Sequence, residues 1–438
     1  MRNFYSISFL YTKYYFLSLV TACSVLMHPV SSKAYCLLTH EAIIDASWKS
    51  VIEPKLLARF PQAKEKELLK AHSYAYGGAI MPDIGYSPFG SMVYTDFVHN
   101  VRTGDYVTAL LEEAETLDEL AFALGALAHY LGDNYGHRLA TNVAVPLVYP
   151  QVGRDFGDTV TYAQDHLSHS RMEFAFDVLQ TARGNYASKQ YHDFIGFNIS
   201  IPVIEKAFYR TYGVALRDVF KSLPVAISTY RWTIKSVLPT IVRTAWAKKK
   251  SDIKKLNPSA TARIFSYRMK NRTYYHEFGK DHQRAGVFPT VLSVLIPVLP
   301  KIGPLAKLKF KEPTVEAEKL FIRSFDSTLV YYRKATTVNG NSGTLSFANK
   351  ALDTGFPTAW GEYPIADDSY INLLLKLNEK HFQNVSPEIM IHLTNFFNPA
   401  KAPGTRKSRK KWKEVNLALN NLRSASLSKQ EQALLQER

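Results

Sequence analysis

Cysteine is scarce in this chain of 438 residues, which contains only two. That count excludes a fold held together by several disulfides, and it excludes a zinc site built from thiolates. Acidic residues are also in the minority: 54 lysines and arginines stand against 38 aspartates and glutamates, for a net charge of +16. A basic chain favours partners with negative charge, such as phosphate esters, nucleic acid or an anionic membrane surface.

Strand patterns are sparse as well. Hydrophobic residues make up 46% and charged residues 21% of the chain, which is the composition of a globular protein rather than a disordered one. Apolar residues recur at helical spacing through the first 250 residues, for example along one long pattern from Glu112 to Leu139. The sequence therefore predicts an all-α fold, in which a helical domain is followed by a further, mostly helical C-terminal region.

The N-terminal residues 1–34 have the pattern of a signal peptide. Basic residues precede an apolar run of about 12 residues, which is too short to favour a membrane-spanning helix. Small residues at Ser32 and Ala34 predict cleavage before Tyr35. We therefore expect an exported protein that is periplasmic, secreted or held at the outer surface. Lipidation at Cys23 and an uncleaved anchor are the alternatives.

Charge divides the rest of the chain into unlike parts. Residues 35–200 carry a net charge of about −8, and residues 201–438 one of about +21. The apolar stretch Val287–Leu308 and its flanking lysines are candidates for a peripheral membrane contact, with buried helices as the alternative. We predict three parts after the signal peptide. The first is a domain that contains the candidate catalytic and metal-binding residues (35–250). It is followed by a basic, mostly helical region of unknown role (251–397) and by a basic, polar, partly disordered tail (398–438).

The strongest motif is the sequence His-Tyr-Leu-Gly-Asp-Asn-Tyr-Gly-His from residue 129 to residue 137. His129, Asp133 and His137 fall at i, i+4 and i+8, so a helix stacks them on one face, one turn apart. Leu127 and Leu131 lie near that stripe, so the face points inward. Buried imidazoles and carboxylates are costly unless they are paired or bind a metal, and they are the ligands of zinc where thiolates are absent. The motif therefore predicts a zinc site, with a satisfied buried polar network as the alternative.

Shorter elements elsewhere repeat this ligand chemistry. His169 and Glu173 fall at i and i+4 on another predicted helix, and His166 is a competing ligand one turn earlier. The remaining candidates are an aspartate that follows a proline at a helix end and two histidines, one of them shortly after the predicted cleavage point: Asp83, His99 and His40.

Taken in order, these residues resemble the zinc-dependent phospholipase C family, whose superfamily also holds the single-strand nucleases of fungi and plants. The stretch from His129 to Asp133 is similar to the central helix of that family. The three-residue gap before His137 is similar to the catalytic domain of glycosylphosphatidylinositol-specific phospholipase D. The Gln-Pro-Leu-His arrangement of the nucleases is missing. The resemblance covers residues 35 to about 200 and implies no function for residues 251–438.

The resemblance implies a helical domain that binds about three zinc ions. The first zinc would be held by Asp83, His99, His129 and Asp133. The second would be held by His137, His169 and Glu173. The third would be held by His40, by a bridging oxygen of Asp133, and by the free amino group and carbonyl of a mature Tyr35.

The same resemblance implies hydrolysis of a phosphodiester, foremost a phospholipid head group, with Asp83 as a ligand and as the catalytic group that orients or deprotonates the attacking water. Asp96 stands where choline-specific relatives carry an aromatic residue, which argues against a choline box. The acidic charge of residues 35–200 argues against a specific nucleic-acid groove. A single-strand nuclease on the same metal site and a non-catalytic zinc or lipid binder are the alternatives. Several aromatic residues are candidates either for substrate walls or for the core: Tyr74, Tyr76, Tyr86, Phe89 and Tyr94.

Overall fold

The computed structural model describes residues 37–183, 197–234, 310–337, 346–383, 385–398 and 412–426, together with residues 250, 251, 254, 258 and 261. The expected signal peptide, Tyr35 and Val287–Leu308 lie outside these residues. Within them the predicted all-α class is confirmed, because they contain no strand and only one isolated bridge, between Ala351 and Phe356. None of their helices is both long enough and apolar enough to cross a bilayer.

The helices are numbered in chain order over the described residues. They are α1 (Leu37–Ser47), α2 (Glu53–Arg59), α3 (Glu65–Ile80), α4 (Met92–Asn100), α5 (Thr103–Glu113), α6 (Leu117–Gly136), α7 (Asn142–Val148), α8 (Pro150–Phe156), α9 (His166–Arg183), α10 (Ile201–Tyr212), α11 (Leu223–Trp232), α12 (Val315–Thr337), α13 (Pro364–Glu379), α14 (Pro387–Phe397) and α15 (412–426). Shorter turns join some of them: π-helical turns after α1 and α6 (Trp48–Ile52 and His137–Thr141), a 3₁₀ turn after α3 (Met81–Tyr86) and another before α11 (Leu216–Asp218).

Helix α6 is the central element of the fold. It begins at a capping box, in which the backbone N–H of Thr116 donates to the Glu119 carboxylate and the Glu119 N–H donates to the Thr116 hydroxyl. This cap divides the long helix expected from Glu112, so that α5 ends at Glu113 and a new helix begins at Leu117. Helices α3, α5 and α12 pack around α6 and bury most of its length.

Helices α3 and α6 cross at a glycine contact. A Cβ atom on Gly125 would lie 2.0 Å from the carbonyl oxygen of Ala75, and one on Gly78 would lie 1.9 Å from that of Phe122. Because only a hydrogen atom fits at these positions, the two glycines allow the backbones to approach closely. The crossing holds α6 against the end of α3, from which the Met81–Tyr86 turn continues.

The C-terminal helices share the core of the preceding helices. The hydroxyl group of the buried Tyr332, in α12, donates a hydrogen bond to the carbonyl oxygen of Leu124 in α6 at 3.0 Å. Trp412 and Val415 of α15 are also buried. The expected polar tail from residue 398 therefore does not hold for residues 412–426, because apolar residues at helical spacing give this segment a face that packs into the core.

Candidate metal centre

Three side chains of the ligand type lie on one buried face of α6 and its π-helical continuation. His129, Asp133 and His137 are 1%, 0% and 1% exposed. Nδ1 of His129 lies 2.8 Å from the carbonyl oxygen of Ala79, at the end of α3, and this contact turns Nε2 toward the neighbouring ligands. Nε2 of His129 lies 3.2 Å from Oδ2 of Asp133.

Three further elements bring side chains to the His129 end of this face. The Met81–Tyr86 turn supplies Asp83, α4 supplies His99 and α1 supplies His40. Nε2 of His99 lies 3.1 Å from Nε2 of His129 and 3.4 Å from Oδ1 of Asp83. The ring of His40 stacks on that of His129 with 4.3 Å between centroids.

Asp133 lies between these groups. Its Oδ1 is 3.3 Å from Nε2 of His40, and its Oδ2 is 3.4 Å from Nε2 of His99. Burial alone would raise the pKa of Asp133, but the surrounding imidazoles of His129, His40 and His99 outweigh burial and hold that pKa well below its usual value. The two oxygens of Asp133 therefore face different imidazoles: Oδ1 faces His40, and Oδ2 faces His99 and His129.

The surrounding histidines differ in their affinity for protons. Burial and the neighbouring His129 lower the pKa of His40, so His40 favours the neutral form. Burial would also lower the pKa of His99, but contacts with Asp133 and Asp83 outweigh it and raise that pKa to about 9. A cation that replaced the proton on His99 would meet the same two carboxylates.

A second cluster lies one turn further along the chain from Asp133. Nδ1 of His137 is 3.3 Å from Nε2 of His169, a residue of α9. Oε1 of Glu173 is 2.9 Å from Nδ1 of His169 and 4.0 Å from Nδ1 of His137. Burial lowers the pKa of His137, although Asp353 and Asp133 partly oppose it.

Asp353 is a member of this second cluster that the sequence reasoning missed. Its Oδ1 lies 3.3 Å from Nδ1 of His137 and 3.4 Å from Nε2 of His169. It follows the buried Leu352 in a short turn of the C-terminal region, far from the other ligands in sequence. Nothing in the local sequence Ala-Leu-Asp-Thr-Gly distinguishes it from an ordinary turn aspartate.

The donor atoms present fit zinc. Within the described residues, three groups have ligand atoms within 4.8 Å of one another: His40 with His129 and Asp133, Asp83 with His99 and His129, and His137 with His169 and Asp353. Both oxygens of Asp133 and one oxygen each of Asp83 and Asp353 are buried without a hydrogen bond. Bare buried carboxylates are unfavourable unless a cation compensates them, and imidazole with carboxylate is a common zinc ligand set.

The predicted ligands that fall within the described residues all lie in these two clusters. Glu173 stands beside His169 rather than in one of the three compact groups. His166 is exposed at the start of α9, where its ring contacts Tyr162, and it lies outside the clusters. Tyr35 lies outside the described residues.

The centre comes nearest to solvent at Asp83, whose side chain is 12% exposed, against 3% for His99 and 0% for Asp133. Of the aromatic residues considered from the sequence, Tyr76, Tyr86 and Tyr94 are buried and Tyr74 is half-buried. Phe89 is 61% exposed and lies in the turn that follows the Asp83 segment. Phe89 is therefore the one member of that set that faces solvent.

Comparison with known proteins agrees with this geometry. Residues 39–222 match the family described as zinc dependent phospholipase C. The matched range includes the ligand candidates from His40 to Glu173 and excludes Asp353. No curated protein and no solved structure matched the chain. Residues 39–222 thus form a domain of the zinc-dependent phospholipase C family, a family of hydrolases, as the order of the ligand residues predicted.

Proposed function

We propose that this chain is an exported, zinc-dependent phosphodiesterase that hydrolyses the head group of a phospholipid in the manner of a phospholipase C. The observation that carries the proposal is the position of Asp133. One of its oxygens faces His40 and the other faces His99 and His129, so a single carboxylate would connect two metal ions. Closely spaced metal positions suit the in-line displacement at a phosphodiester.

The proposal includes about three zinc ions per chain. When bound, zinc would polarise the phosphoryl oxygens and lower the pKa of a water molecule. The residues that would hold the first ion are Asp83, His99, His129 and Asp133. Those that would hold the second are His137, His169 and Glu173. Those that would hold the third are His40, Asp133 and the amino terminus at Tyr35.

Asp83 is the proposed catalytic carboxylate. Its Oδ1 is buried and lies 3.4 Å from Nε2 of His99, so the 12% exposure of the side chain belongs to its other atoms. The carboxylate therefore touches the metal ligands on one side and the solvent on the other. In this position it would orient the attacking water and accept its proton, while the alkoxide leaves from phosphorus.

A lipid substrate is supported by the surface next to Asp83. Phe89 and Met92 are 61% and 38% exposed. Gly90, between them, packs against the carbonyl oxygen of Ile84, the neighbour of Asp83 in sequence. Two exposed apolar residues in the segment that follows Asp83 suit contact with a lipid surface. The negative charge of residues 35–200 disfavours a specific nucleic-acid groove.

The substrate test uses the zinc-loaded chain with vesicles of phosphatidylinositol or phosphatidylethanolamine and, in parallel, with single-stranded DNA. Release of phosphorylated head group supports the proposal. Cleavage of DNA instead would favour a nuclease, and retained zinc with neither activity would favour a non-catalytic binder. We expect Phe89→Ser to slow hydrolysis of vesicles but not of a short-chain soluble phospholipid. Val330→Ser, at a residue 64% exposed on α12, is the matched control.

Export and membrane contact belong to the same proposal. A mature chain that begins at Tyr35 would supply the free amino group that the proposed third zinc site needs, and N-terminal sequencing of the exported protein tests where the chain begins. A retained signal or a lipid on Cys23 would remove that ligand. The basic residues 201–438 would supply peripheral contact with anionic lipid, and binding to anionic vesicles that weakens with salt is the expected result.

A further inference from the structure

Residues 346–356, here named the strap, lie along the family domain although they come long after it in sequence. The Thr103 hydroxyl donates to the carbonyl oxygen of Lys350 and accepts a hydrogen bond from the Lys350 N–H, both at 2.9 Å. The Tyr130 hydroxyl donates to the carbonyl oxygen of Ala348 at 2.6 Å. A Cβ atom on Gly104 would lie 2.0 Å from the carbonyl oxygen of Phe347, so α5 leaves room for the strap.

The strap then reaches the metal centre. The N–H of Leu352 donates to the carbonyl oxygen of His99 at 2.9 Å. The side-chain amide of Asn142, just after the π-helical turn, donates to the carbonyl oxygen of Asp353 at 2.8 Å. Leu352 and Asp353 are 1% and 4% exposed. The backbone on both sides of the Asp353 side chain is therefore held by the ligand candidate His99 and by Asn142, the first residue of α7.

The two oxygens of the Asp353 carboxylate have different surroundings. Oδ2 accepts hydrogen bonds from the N–H of Tyr162 at 3.1 Å and from the hydroxyl of Tyr363 at 2.7 Å. Oδ1 is buried without a hydrogen bond, 3.3 Å from Nδ1 of His137 and 3.4 Å from Nε2 of His169. One oxygen is thus held in place by donors, while the other is aimed at two imidazole nitrogens.

We propose that Asp353 is a ligand of the second metal and that this metal fastens the strap to the family domain. Asp353 would take the ligand place assigned above to Glu173, because Oδ1 of Asp353, Nδ1 of His137 and Nε2 of His169 form one compact group. Glu173 faces the other ring nitrogen, Nδ1 of His169, so it would orient that imidazole instead. This inference rests on the proposed zinc site, but not on the substrate.

Metal content tests the proposal without an activity assay. Asp353→Asn keeps an oxygen that can accept from Tyr162 and Tyr363 but removes the negative charge. We expect this variant to hold one zinc fewer per chain than the wild type by elemental analysis, and trypsin to cleave it faster after Lys350. Tyr363→Phe, which removes a hydrogen bond to the other oxygen, is the control and should keep its zinc. An Asp353→Asn chain with the zinc content of the wild type would overturn the proposal.

A second variant tests direct ligation. In cobalt-substituted Asp353→Cys, a thiolate bonded to the metal would add a near-ultraviolet charge-transfer band that the cobalt-substituted wild type lacks. A cobalt-loaded, folded variant without that band would overturn the proposal. A wild type that hydrolyses no phosphodiester, while Asp353→Asn loses one zinc, would overturn the proposed function alone. Activity that depends on zinc, with metal content unaffected by Asp353→Asn, would overturn this inference alone.

Discussion

Nε2 of His99 and Nε2 of His129 lie 3.1 Å apart in the buried centre of the domain. Both atoms also lie within 3.4 Å of Oδ2 of Asp133. Two imidazole nitrogens at this distance from one buried carboxylate need a proton or a metal ion among them. In the absence of metal, the raised pKa of His99, at about 9, lets it carry that proton. The arrangement is therefore one that a divalent cation stabilises.

The first prediction concerns stability after metal removal. A ligand that binds only the folded state stabilises it by about 4 kcal/mol at a thousandfold excess over its Kd. We expect a chelator to lower the melting temperature by several degrees, and added zinc to restore it, as followed by circular dichroism. An unchanged melting temperature in protein shown to be free of metal would contradict the stabilising role of the ion.

The second prediction concerns Asp83→Asn. The amide keeps the shape of the side chain but cannot accept the proton of the attacking water, so we expect turnover to fall by about 10²- to 10⁴-fold. Zinc content should decline only modestly, because His99, His129 and Asp133 remain. Asp118→Asn is the control, since that carboxylate pairs with Lys70 near the surface at 2.6 Å. Turnover close to that of the wild type would show that Asp83 is not the proton acceptor.

The third prediction concerns the crossing of α3 and α6. In Gly125→Ala the new Cβ would lie 2.0 Å from the carbonyl oxygen of Ala75, so the helices must separate. Overpacking of this kind costs about 1–3 kcal/mol, measurable by urea unfolding. Gly132→Ala, on the same helix, would meet only side-chain atoms, the end of Ile43 at 3.1 Å and the ring of His40 at 3.4 Å, and should cost less stability because side chains can shift more easily than backbone. Equal stability of the two variants would rule out a tight crossing.

The fourth prediction concerns acid stability. Burial, together with Arg102, lowers the pKa of His392 to about 4, and its Nε2 lies 2.7 Å from the hydroxyl oxygen of Tyr370. Between pH 6.5 and 4 the unfolded chain binds a proton at His392 that the folded chain refuses. Stability should therefore fall as the pH drops through this window, by up to about 3 kcal/mol from this group.

His392→Gln isolates that contribution, because its side-chain oxygen can still accept a hydrogen bond. We expect urea unfolding at several pH values to give a smaller loss of stability from pH 6.5 to pH 4 in the variant than in the wild type. Equal losses in both proteins would assign the acid sensitivity to other groups.

Local spacing made most of the centre predictable. The positions of His129, Asp133 and His137 follow from helical periodicity, and His169 and Glu173 obey the same rule on α9. The order of His40, Asp83 and His99 along the chain indicated the family, although their meeting point depends on how α1, α3 and α4 pack around α6.

Other features depend on tertiary contacts that no local pattern contains. Asp353 reaches its site because Asn142 and Tyr162 hold it from 211 and 191 residues away in sequence. The break before α6 escaped the periodicity argument because the Thr116 cap lies within an acidic stretch that is itself compatible with a helix. Residues 412–426 were expected in a polar tail because the run of basic residues before Trp412 dominated the composition.

The central claim is that the ions held around Asp133 are zinc and that they enable phosphodiester hydrolysis. The most direct test combines elemental analysis, N-terminal sequencing and a phospholipid hydrolysis assay on one sample of the chain purified from its native cells, before metal removal, after it, and after zinc is restored. The account predicts about three zinc ions per chain, Tyr35 as the first residue, and hydrolysis that disappears and returns with the metal. A chain without zinc, or hydrolysis that persists at full rate after the zinc is gone, would contradict it.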